Sequence, residues 1–119
     1  MTKANRNPGC DNSPKNKMVE DIAVALETGD THFMSALLDS GTVWHDAGSG
    51  EILGEDILSK LRGQCQHDVL TIDQAISHDK VGAVNGQARR GKTGQRFCHV
   101  IEFTSAKCHK IRRVESYRG

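Results

Sequence analysis

The sequence predicts an α+β fold in which helices come first and an antiparallel sheet follows. Apolar residues recur at helical spacing up to about residue 62, and strand-like stretches occupy most of residues 69–118. Short turn signals rich in Gly, Asp, Lys and Ser separate those stretches. At 119 residues there is enough chain for a single core.

Residues 1–17 carry Lys3, Arg6, Lys15 and Lys17 against Asp11 alone, in a segment rich in Asn, Pro and Lys. Such a composition cannot bury a core, so a disordered tail is expected there and the folded domain at 18–119. The first helix is predicted from Met18 to about Thr28, with Val19, Ile22, Ala23 and Leu26 on one stripe. Gly29 is its terminator, and Asp30 or Thr31 caps a second helix over about 31–39. A strand at 42–46 ends in a glycine-rich turn, and a third helix spans Gly54 to Arg62.

Four strands are predicted next, at 69–78, 81–90, 95–103 and 108–118. Turn lengths suggest a register in which Arg90 opposes Gln95 and Phe103 opposes Cys108. One inner row would then read Asp73, Gly86, His99, Arg112. Gly86 would leave room for a ligand or, together with Gly82, let the sheet curve. Arg112 beside His99 raises an anionic ligand. The mixed apolar and polar outer face suits a homodimer.

The net charge of +1 gives no reason to expect a nucleic-acid partner. The tail holds no apolar run and no stretch is long enough to span a bilayer, so a cytoplasmic protein without membrane contact is the expectation. Cys10, Cys65, Cys98 and Cys108 form no C-x-x-C pair, which favours reduced thiols. Cys98-His99 and Cys108-His109 point to opposite faces of a strand, so no metal site is expected. No cofactor is expected either.

Two helices, the strand end Thr42-Val43-Trp44-His45-Asp46-Ala47-Gly48, the Gly54-x-x-Ile57 helix and a meander closing on Ile111-Arg112-Arg113-Val114-Glu115-Ser116-Tyr117 follow one another in order. This order resembles the SnoaL-like and ketosteroid-isomerase superfamily, also called nuclear-transport-factor-two-like, over residues 18–118. The resemblance implies a cone-shaped antiparallel sheet with N-terminal helices over its concave face, enclosing an apolar cavity with a few ionisable groups.

It places His45 at the position of a general base and His99 at that of an acid facing a developing oxyanion. Asp73, Arg112, Trp44, Phe97, Phe103 and Val114 complete the expected ligand-binding set. The isomerases use a tyrosine of the first helix, and residues 18–28 contain none. The pattern is therefore nearer to the cyclases, acting on a partly apolar carbonyl compound by isomerisation, ring closure or dehydration. The alternative is a non-catalytic ligand-binding or dimerisation module of the same fold.

Overall fold

A computed structural model describes residues 3–5, 14–63 and 67–119. Three helices, α1 (Pro14–Thr28), α2 (Thr31–Ser35) and α3 (Glu55–Arg62), accompany a seven-stranded sheet. The strands are β1 (Lys3–Asn5), β2 (Val43–Asp46), β3 (Gly50–Leu53), β4 (Val69–His78), β5 (Val81–Arg90), β6 (Thr93–Phe103) and β7 (Ile111–Arg118). Their order in space is β1-β4-β5-β6-β7-β2-β3. The class is α+β, and the sheet is mixed: β1 runs parallel to β4, and β2 parallel to β7.

α1 buries the predicted stripe of Val19, Ile22, Ala23 and Leu26 and packs on β4 and β5. It begins four residues earlier than expected, at Pro14, whose fixed φ suits a first helical turn. Lys3–Asn5 pairs with the edge of β4, so this part of the expected tail is ordered; residues 1–2 and 6–13 lie outside the described residues. Gly29, at φ 74°, ends the helix, and the Asp30 carboxylate then accepts the Phe33 N–H at 3.0 Å to start α2. α2 stops at Ser35 rather than residue 39. The Leu37 carbonyl is instead taken by the N–H of Ile111 at the start of β7, 2.9 Å away.

The short strand β3 had no sequence signal of its own. Gly48 and Gly50, at φ 95° and 85°, turn the chain back along β2. β4 and β5 occupy the predicted residues and turn at Asp79-Lys80, but a bulge at Asp73 moves Ile72, not Asp73, opposite Gly86. The β5–β6 turn is tighter than expected, so Arg90 opposes Thr93 and Gly86 opposes Phe97. β7 starts at Ile111, after a longer connection, and carries an irregularity at Arg112. His99 therefore opposes Ser116 instead of Arg112. Both displacements on β6 are even, so its inner and outer residues keep the faces expected of them.

Gly82 and Gly86 serve close approach. A Cβ on Gly82 would overlap Val19 Cγ2 of α1, and one on Gly86 would overlap the Thr71 carbonyl oxygen and meet Phe97 Cζ at 2.9 Å. The space over Gly86 is thus filled by protein, and the reading of it as ligand room is corrected.

Candidate functional site

The expected row Asp73–Gly86–His99–Arg112 does not form. Asp73 sits in the β4 bulge and reaches Arg96 at 3.5 Å, while Arg112 is exposed. Phe97, Phe103 and Val114 are core residues, with the Phe97 ring 5.3 Å from that of His99. β2 has the opposite facing to that expected. Trp44 and Asp46 are buried on the inner side and His45 lies on the outer face, between Glu51 of β3 and Glu115 of β7. Burial of the large indole decides this alternation. The Nδ1 of His45 is buried without a hydrogen-bond partner among the described residues.

His99 is fully buried on the inner face, where it joins residues that sequence patterning did not single out. Ser116 stands beside it on β7, and Asp46 follows on β2. The His99 Nδ1 is 2.6 Å from Ser116 Oγ, which also accepts the Trp44 Nε1–H at 2.8 Å. The His99 Nε2 is 2.7 Å from Glu27 Oε2. With a neutral imidazole the Ser116 hydroxyl donates to Nδ1 and Nε2–H donates to Glu27. A protonated imidazole donates from both nitrogens, and this is the form whose charge acts on Glu27.

Glu27 lies near the end of α1, its side chain wholly buried. Its second oxygen accepts from Arg118 Nη1 at 2.9 Å and lies 3.5 Å from His67 Nε2. Burial alone would raise its pKa. The His99 hydrogen bond and charge, with those of Arg118, outweigh burial and bring it from 4.5 to about 2. Next to Ser116, the Asp46 carboxylate holds Lys60 Nζ of α3 at 2.5 Å, and that ammonium sits 4.6 Å from the centre of the Trp44 ring.

The polar end of the cone is therefore a continuous set: Lys60, Asp46, Trp44, Ser116, His99, Glu27, Arg118 and His67. Only Lys60, Arg118 and His67 reach the surface appreciably. Outside it lies a groove of about 370 Å³ walled by His67, Arg90, Thr93, Gln95 and the backbone of Gly94 and Gly119. Among the described residues no group of His, Cys, Asp and Glu is arranged to hold a metal ion. Cys98 and Cys108 are free thiols, and Cys10 and Cys65 lie outside the described residues.

Glu27 was legible only as a polar residue one place past the apolar stripe of α1. The i to i+4 spacing from Ala23 puts it on the inward side, and nothing local says that a histidine awaits it there.

No family model and no curated protein matches the sequence. Solved structures do match. An NTF2-like protein of unknown function from Cytophaga hutchinsonii superposes with a TM-score of 0.65 at 19% identity, covering 87% of this chain and 98% of that one. The fold is NTF2-like. A candidate ketosteroid isomerase from Kribbella flavida gives a TM-score of 0.72 at 16% identity, over 87% of this chain and 76% of that one. An LEH-like epoxide hydrolase from M. tuberculosis gives 0.65 at 20%, over 87% and 81%. The family resemblance read from the strand and helix order thus holds at the level of the NTF2-like fold, and these identities carry the fold alone. The described part of the chain has no helix long and apolar enough to cross a membrane.

Proposed function

We propose that the protein binds a small, partly apolar molecule at the polar end of its NTF2-like cone and exchanges protons with it. The observation that carries this reading is the buried contact of Glu27 with His99, joined through His67 to an open groove. A buried ionic network is a poor device for stability, since apolar residues of the same volume often serve as well. A strongly shifted carboxylate beside a groove is a common mark of a functional site. The His99 imidazole can take up or release a proton on either nitrogen, toward Glu27 or toward Ser116. Proton transfer next to a carbonyl, as in isomerisation, ring closure or loss of water, is the chemistry this arrangement suits.

The reading is tested with ¹⁵N-labelled protein titrated with small carbonyl compounds. Binding is expected to move the Trp44 indole signal together with Arg90, Thr93 and Gln95. Bound carbonyl compounds are then expected to exchange α-protons for deuterium faster with wild type than with His99→Gln. If every compound leaves these signals in place, the reading is wrong. Binding without exchange leaves the non-catalytic alternative.

A second reading, compatible with the first, is a homodimer through the outer sheet face. The large hydrophobic residues exposed among the described residues, Leu53, Ile76, Val81 and Tyr117, all project from this face and are 42–66% exposed. Five strands at about 4.8 Å spacing present roughly 700 Å², close to the ~800 Å² per partner of a stable interface. Glu51 on β3 and Glu115 on β7 lie toward one edge of the sheet, while Arg89 and Arg96 lie on β5 and β6. A twofold axis along the strands would lay the acidic side of one copy on the basic side of the next.

A further inference from the structure

We infer that His67 is the residue that exchanges a proton with the bound ligand, acting as a pair with Glu27. The inference rests on the small-molecule reading above and names the group that acts on the ligand. Of the polar set, His67 is the member that also walls the groove. His99, Ser116 and Glu27 are shut off from solvent, and both nitrogens of His99 are engaged inside the cone. Among the other described walls, Ala88, Gly94 and Gly119 bring no side chain that carries a proton. Thr93 and Gln95 do not titrate near neutral pH, and Arg90 does not release its proton. An imidazole both takes and gives one.

The backbone fixes His67 at this place. The N–H of Asp68 donates to the Arg89 carbonyl at 2.7 Å, and the Asp68 carboxylate accepts the Gly91 N–H at 2.7 Å. His67 is thereby held beside the end of β5 and the turn into β6. Its side chain is 18% exposed and that of Glu27 is 0% exposed, with Nε2 3.5 Å from Glu27 Oε1. This is ion-pair range rather than a tight hydrogen bond, so the contact can shorten once the ring gains a proton. Arg118 and His99 hold the two oxygens of the same carboxylate and keep it ionised.

In the step this pair supports, a C–H bond next to a carbonyl breaks. Its proton passes to a ring nitrogen of His67, and its electrons form the enolate. Glu27 steadies the imidazolium, the part a carboxylate plays in a catalytic triad. Thr93 and Gln95 offer donors for the carbonyl oxygen. His67 reaches solvent, so in heavy water its proton is replaced by a deuteron, which then returns to carbon as the enolate closes back to the ketone.

The test follows binding of cyclohexanone and β-tetralone by NMR, together with their deuterium uptake above the uncatalysed rate. His67→Gln is expected to bind them nearly as well as wild type and to exchange their α-protons about a hundredfold more slowly, or worse. His67→Ala should lose exchange likewise and regain it when free imidazole is added, because the position opens on the groove. His99→Ala, inside the cone, should regain none. The losses in His67→Gln and Glu27→Gln should not multiply in the double variant, since groups that act as a unit fail together. A thermal melt of each variant establishes that it is folded.

If His67→Gln exchanges the bound ketones as fast as wild type, or if imidazole restores His99→Ala and not His67→Ala, the role of His67 is overturned while the small-molecule reading stands. Losses that multiply overturn the pairing with Glu27. Binding without exchange by wild type overturns the role of His67 and leaves the non-catalytic alternative. If neither ketone perturbs the groove, both readings fall together.

Discussion

The His99 Nε2 stands 2.7 Å from Glu27 Oε2, joining the sixth strand to the end of the first helix deep inside the cone. Both side chains are excluded from solvent. The contact spans 72 residues of sequence, so it forms only when α1 is docked on the sheet.

Glu27 makes stability depend on pH in one direction. Its folded pKa, about 2, lies below the ordinary 4.5. Its contribution is therefore complete above about 4.5 and is lost as pH falls through the folded value. The span corresponds to about 3 kcal/mol. Chemical denaturation of wild type between pH 6 and pH 2 is expected to show that decline, and Glu27→Gln to show a correspondingly shallower one.

Ser116 is a test of the buried path that leaves its charges in place. Ser116→Ala strands the Trp44 N–H and one nitrogen of His99. An unsatisfied buried polar group costs about 1–3 kcal/mol. A loss of about 2 kcal/mol is expected in urea unfolding followed by Trp44 fluorescence. A loss below about 0.5 kcal/mol would mean that water replaces the hydroxyl freely.

The two glycines should separate by what lies above them. Gly82→Ala meets a side-chain methyl of Val19, whereas Gly86→Ala meets the Thr71 backbone. Overpacking of this kind costs about 1–3 kcal/mol. Gly86→Ala is expected at or beyond the upper end of that range. Gly82→Ala should cost less and gain from Val19→Ala in the double variant, a coupling that a thermodynamic cycle measures.

The outer face gives an oligomerisation prediction. Ile76→Glu combined with Val81→Lys is expected to halve the mass seen by light scattering while the fold, read by circular dichroism, is kept. A wild-type mass equal to the 13.0 kDa monomer would remove the dimer from the account.

The α+β class, α3, β4 and β5 were legible because local pattern and turn chemistry decide them: Asp79-Lys80 could only be a tight turn between two alternating runs. The register beyond them was not. A bulge at Asp73 and an irregularity at Arg112 each displace pairing without altering composition. On β2, alternation alone is compatible with two facings, and the one with His45 inward is not the one adopted. Trp44 settles the matter through buried area, a tertiary quantity. His99 was found from its inner position, but its partner Glu27 was not, because a contact across 72 residues leaves no trace in local spacing.

The central claim is that an ionised Glu27, buried against His99, links the interior of the cone to its mouth. Its most direct test is a ¹³C NMR titration of the Glu27 side-chain carboxyl in the folded protein. No protonation step is expected between pH 7 and pH 4.5, and the midpoint is expected near 2. A midpoint above 4.5 would mean that the buried carboxyl is readily protonated, and it would contradict the claim.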